Sequence, residues 1–244
     1  MNDNNLVTSF KKMRIAIGVL GMALPFALLI GNYIINEADI LNSNTFIAHK
    51  ENCYRQYTAD GWFKSSISHY YYTTVGELFT GILTAVAIFM LCYKGHPLRD
   101  TDRIRISDNL ATNIAGIAAI CVAWFPTSAK ECITDNVRTF LSSETTANIH
   151  YASAALFFGA LALMCMVNFR RTNVSGFAMG RYSTLYLLCG IGILFFMLCA
   201  FLCGQVFYEK GSFLDRIHSV WICETIMLVL FGFSWLVKGA KADA

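Results

Sequence analysis

The stretch SSISHYYYTTVGELFTGILTAVAIFMLCY, residues 65–93, changes character part-way along. It opens with hydroxyls, His69 and three consecutive tyrosines, then from Gly76 it is apolar apart from Glu77, Thr80 and Thr84. Read from Tyr70 to Tyr93, it is long enough at about 1.5 Å per residue to cross roughly 30 Å of hydrocarbon. That reading makes the polar opening the mouth of a membrane helix. A carboxylate just inside such a mouth is costly and marks a functional position.

Working outward, similar apolar runs recur at residues 15–35, 110–126, 151–169, 184–208 and 220–237, the last containing Glu224. Pro25 falls inside the first, where membrane helices tolerate it, and Pro126 ends the third. The composition agrees: 56% of the 244 residues are hydrophobic and 14% charged, with a mean hydropathy of +0.49. Soluble domains carry about a quarter charged residues. The sequence therefore predicts an all-α, polytopic bundle of six spans in a single domain over residues 1–244. The alternating ten-residue pattern of a β-barrel is absent. A net charge of +3, with no basic run interleaved with aromatics, argues against nucleic acid as a partner.

Six spans put both termini on one side. That side carries twelve Lys and Arg against five Asp, while the opposite side carries seven basic against nine acidic residues. The positive-inside rule makes the termini cytoplasmic, in a plasma (bacterial inner) membrane. Lys11, Lys12 and Arg14 precede the first run as in a signal sequence, but the run is too long for a signal core and no A-x-A-like site follows. It reads as an uncleaved first helix.

This topology gathers His69, His150 and His218 at the outer boundary, each just before a span. Helical spacing puts Thr73, Glu77, Thr80 and Thr84 on one stripe, with Tyr70 close to it, and such a stripe is expected to face the bundle or a wet cavity. Glu224 lies about 9 Å beyond His218 along the last span. Two roles are open for this set. It is an outward-facing polar pocket that binds, senses or moves a small ligand, a proton or a lipid headgroup, with Glu77, Glu224, Tyr70 and Thr73 as its binding residues. Alternatively the three histidines hold zinc and activate water beside a glutamate. The plain structural counterpart is that His and Tyr belong at membrane interfaces anyway, one end of each ring seeking water. A non-enzymatic partner subunit, docking a protein through its outer loops, is a third role.

Cys53 and Cys132 lie in different outer loops, where an oxidising exterior lets them pair. On the inner side, Ser107 and Asp108 suit the cap and first turn of span three. His96 and the basic loops beside it face anionic headgroups.

The runs SISHYYYTTVGELFTGIL, DNLATNIAGIAAICVAWFPTS and FGFSWLVKG resemble stretches of a group of bacterial membrane proteins of uncharacterised activity, which implies a six-helix protein of the bacterial plasma membrane. Ser66 and His69, with Asp108 opening the next span, are also similar to the CREST superfamily of membrane hydrolases, which includes alkaline ceramidases and progestin and adiponectin receptor-like proteins. That resemblance implies a zinc-dependent lipid hydrolase. The family's closing H-x-x-x-H pair does not occur in this chain.

Overall fold

The computed structural model describes residues 3–37, 62–73, 75–95, 98, 100, 104–127, 143–171, 181–209 and 211–240. Six long helices account for most of them: α1 Asp3–Glu37, α2 Gly76–Cys92, α3 Asp108–Trp124, α4 Ser143–Met166, α5 Arg181–Phe201 and α6 Ser219–Ala240. Among the described residues there is no strand. The segments Lys11–Ile35, Glu144–Arg170, Tyr182–Val206 and Ser219–Ala240 are long and apolar enough to cross a membrane. The chain is thus a helical membrane protein with four such helices. α2 and α3, at 17 residues each, reach about 25 Å.

Each helix packs on its neighbours in sequence, and α6 returns to α1, so the bundle is a closed ring with α4 also touching α6 across it. α1 and α6 run antiparallel, because Gly18 meets Gly232 and Gly239 meets Arg14 and Ile15. The start of α1 and the finish of α6 therefore share one end, called here the terminal end. The other end is capped by Trp62–Tyr72.

Small residues set the spacing of the ring. A Cβ on Gly18 would lie 2.7 Å from the Gly232 carbonyl oxygen, and one on Gly232 would lie 2.5 Å from that of Gly18. The two backbones approach as in membrane-helix dimers, where dispersion rather than expulsion of water drives association. The interior is filled by large rings and chains such as Trp235, Phe231, Phe79, Leu28 and Met90. The outside carries Leu188, Ile191, Phe195 and Leu198 along α5, and Val19, Phe26 and Ile30 along α1, all exposed. Such apolar surface suits lipid contact.

One expected span differs. Residues 67–72 form a 3₁₀ turn, Thr73 is extended, and the helix starts only at Gly76. A Cβ on Gly76 would collide with the Tyr71 carbonyl, so the chain closes on itself there at a glycine. Each of the other apolar runs overlaps one helix, with α1 and α4 starting well before the runs at 15 and 151, at Asp3 and Ser143. Helix α3 begins as expected: Ser107 caps it, its hydroxyl accepting from the Leu110 N–H at 3.0 Å. Cys53, Cys132 and His96 lie outside the described residues.

Gly232→Val should destabilise the protein by about 1–3 kcal/mol through overpacking against Gly18 and Met22. Thermal unfolding in neutral detergent measures this; an unchanged midpoint would contradict the close α1–α6 approach.

Candidate functional site

The capped end of the bundle is built on three serines. Ser65, Ser66 and Ser68 each engage a different ionisable residue. Ser65 Oγ lies 2.9 Å from His69 Nδ1, one turn on. Ser66 Oγ donates to the Glu224 carboxylate, at 3.0 Å from Oε1 and 2.9 Å from Oε2, while accepting from the Ser68 N–H. Ser68 Oγ lies 2.9 Å from His150 Nε2.

Glu224 comes from the second turn of α6 and also accepts the Ile67 N–H at 2.6 Å. Ser66 is the N-cap of the 3₁₀ turn. The carboxylate therefore satisfies an amide that opens a helical turn, which is where a negative charge is favourable. His150 is 2% exposed. Its Nδ1 is 2.7 Å from the Phe125 carbonyl oxygen, which can only accept, so Nδ1 carries the proton. In the neutral ring, Nε2 then accepts from the Ser68 hydroxyl. A serine and histidine at this distance have the spacing of a nucleophile and its base. Here both side chains are buried, and the pair acts as a clasp between the cap and α4.

His218 takes a third role. It precedes α6 with φ of 52°, a left-handed conformation uncommon for a residue with a Cβ. Its ring stacks on Phe63 at 4.1 Å between centroids. Phe63 also meets Trp221 edge-on and stacks with Trp62, which contacts Tyr33 of α1. The cap is held from the α1 side by Asn32, which donates to the Trp62 carbonyl at 2.7 Å. From the α3 side, the Thr127 carbonyl accepts from Tyr72. Tyr70 lies fully buried beneath the cap, and burial pushes its phenol up to about 12, so it stays neutral.

The structure thus brings His69, His150, His218, Glu224, Tyr70 and Thr73 to one end, in or against one segment. It does not place Glu77 and Thr73 on one helical stripe. Glu77 is exposed in the first turn of α2, whereas Thr73 is buried. The stripe assumed one helix from Tyr70 onward, and the break before Gly76 shifts its phase. Nor do the histidines converge on a common point. Among the described residues no three of His, Cys, Asp and Glu lie together as a metal-holding set. Both nitrogens of His150 are already engaged, so that residue does not fit a zinc ligand. Asp108 opens α3 beside Gly95 at the terminal end, a helix length from Ser66 and His69. Comparisons with protein-family models, with curated proteins and with solved structures find no match to this chain.

A second polar cluster occupies the terminal end. Asp108 Oδ1 accepts from Asn168 at 2.7 Å and lies 3.7 Å from Arg171 Nη1, while Arg171 Nη2 donates to the carbonyls of Ile104 and Ile106. Arg14, 6% exposed, donates through Nε and Nη2 to the Tyr93 hydroxyl at 3.0 and 2.8 Å. The sequence reading counted Arg14 only as one of three basic residues before a span, and nothing in its spacing distinguishes it from Lys11 or Lys12.

Ser66→Ala should loosen the cap by about 1.5–3 kcal/mol, the range for a hydrogen bond to a charged group. Protease sensitivity of the segment after Trp62 reads this, and unchanged cleavage would show that the Glu224 contact does not hold it.

Proposed function

We propose that this chain is a six-span protein of the bacterial inner membrane whose outer polar site binds or senses a proton or a small cation, with Glu224 as the acid that receives it. In this reading α2 and α3 complete the six spans between α1 and α4. The charge bias puts both termini in the cytoplasm and the serine cap outside. The reading rests on one observation. Two ionisable side chains from separate helices, Glu224 of α6 and His150 of α4, grip the same short segment through Ser66, Ile67 and Ser68.

Titration changes that grip in a defined direction. Ionised Glu224 is an acceptor only, matched to one hydroxyl and one amide. Hydrogen bonds to a charged group contribute about 1.5–3 kcal/mol each, against about 1 for neutral ones. A proton on Glu224, or a cation competing for it, therefore weakens its hold on the cap. A proton on His150 turns Nε2 into a donor and leaves a charge in a buried site, which opposes the docked arrangement. With Glu224 held between the helices whether or not the segment is seated, both events act in the same sense: acid loosens the segment. Tyr151, exposed on α4, is hydrogen-bonded to Gln205 and lies within electrostatic reach of Glu224, giving the acid a polar approach from outside. Gln205 belongs to the π-helical turn Leu202–Val206 that ends α5, a distortion frequent at functional sites. Glu77 is exposed in the first turn of α2, whereas Glu224 grips the cap directly, so Glu224 is the acid assigned the role.

Hydrogen exchange at the Ile67 amide tests this directly, because that N–H donates to Glu224. After correction for intrinsic rates, protection should fall as pH is lowered, and Glu224→Gln should show the low-protection state throughout. Protection that ignores both pH and Glu224→Gln would overturn the proposal.

A further inference from the structure

Among the described residues, the buried Arg14 at the terminal end has no carboxylate counter-ion. Arg14 lies near the start of the α1 span, where a long basic side chain normally reaches out to water and headgroups. Instead it turns inward, 6% exposed, with its guanidinium carbon 5.4 Å from the centre of the Tyr93 ring and two N–H groups on the Tyr93 hydroxyl. Among the described residues it meets no carboxylate. Asp108, which also neighbours Tyr93, is matched by Asn168 and Arg171.

Around Arg14 stand donors that, among the described residues, have nothing to donate to. Trp235, fully buried, packs edge-on to Tyr93 at 5.2 Å, and its Nε1–H has no partner. An indole nitrogen is a donor only. Tyr186, 3% exposed and within electrostatic reach of Arg14, has an unpartnered hydroxyl. Phe169 lies between the two rings, at 5.3 Å from Trp235 and 5.5 Å from Tyr186. Lys238 donates to the Phe169 carbonyl and lies 6.0 Å from the centre of the Tyr186 ring. The connection to α1 is direct, since Gly239, one turn after Trp235, abuts the Arg14 side chain.

A buried guanidinium whose one printed acceptor is a phenol oxygen, with an unpartnered indole N–H and an unpartnered phenol, specifies a ligand that supplies acceptor oxygens and negative charge. Orphaned buried donors are costly, more so when charged, so an oxyanion there relieves several penalties together. We propose that Arg14, Tyr186 and Trp235 form a binding site for a phosphate oxyanion at the terminal end of the bundle. The phosphate belongs either to a lipid headgroup of that leaflet or to a small soluble anion; both present the same oxygens to the same donors. The site is independent of the serine cap, a bundle length away.

The full-length protein in neutral detergent provides the test. Thermal unfolding is followed against inorganic phosphate, with chloride at equal ionic strength as control, and against micelles doped with phosphatidylglycerol. Either phosphate source should raise the midpoint beyond the chloride control. A response to phosphatidylglycerol alone identifies the headgroup as source, and a response to inorganic phosphate identifies a soluble anion. Tyr186→Phe deletes one donor and keeps the ring; Trp235→Phe deletes the indole N–H together with part of the ring system. Each should weaken the apparent affinity about tenfold or more; Tyr186→Phe should not lower the midpoint without phosphate, because no partner is lost, whereas Trp235→Phe lowers it through the lost indole volume. Arg14→Met should abolish the response. Three results would overturn the site: no phosphate-specific shift, a shift that survives all three substitutions, or Tyr186→Phe lowering stability in phosphate-free detergent, which would mean that water already satisfies that donor.

Discussion

A non-helical segment lying on an apolar bundle must have its peptide groups satisfied from within the protein, and the structure of the capped end follows from that requirement. Residues 62–73 cannot supply all their own bonds as a helix does. The Trp62 carbonyl takes a hydrogen bond from Asn32 of α1, and the Ser65 carbonyl takes the Trp221 N–H of α6 at 3.0 Å. The Ile67 N–H goes to Glu224, and the Tyr70 carbonyl receives both the N–H and the hydroxyl of Thr73. The ionisable groups at this end are therefore part of the backbone accounting. Glu224 is held among apolar helices because an amide and a hydroxyl need it.

The two ends of the bundle solve opposite electrostatic problems. At the cap an acid is surrounded by neutral donors, which accommodates negative charge with no basic residue in direct contact among those described. At the terminal end a base is surrounded by ring faces and donors, with the one adjacent carboxylate already committed. Between them lies a layer of packed aromatic, aliphatic and small residues that isolates each charge from the other. At low effective dielectric such charges act strongly on near neighbours, which is why single hydroxyls such as those of Ser66 and Tyr93 matter at their respective ends.

Much of this was legible in the amino-acid order, and the rest was not for identifiable reasons. Apolar runs located the long helices because a span needs a continuous unpolar surface, and Ser107–Asp108 announced the start of α3 through capping chemistry. The gathering of histidines at one end also followed from counting spans. The interruption between Tyr70 and Gly76 escaped, since Tyr and Val suit an apolar helix as well as a 3₁₀ turn. With it went the phase of Glu77. The true partners of His150 were hidden because one of them is the carbonyl of Phe125, and peptide groups carry no sequence signature. Ser68 looked like one polar residue among many until folding placed it against a residue 82 positions away. Arg14 is legible as a topology signal and illegible as a buried group, because only the fold decides which of three neighbouring bases turns inward.

The ring of helices closes through its first and last members, and the chain is synthesised in that order. The glycine-lined flank of α1, at Gly18 and Gly21, finds its match in Gly232 and Phe231 only when α6 emerges. Until then the glycine flank of α1 lacks its partner, and the serine segment lacks both its acid and the Trp221 amide. One late docking event thus seals the seam, seats the cap and brings Trp235 up against Tyr93, so the two ends mature together although they never touch.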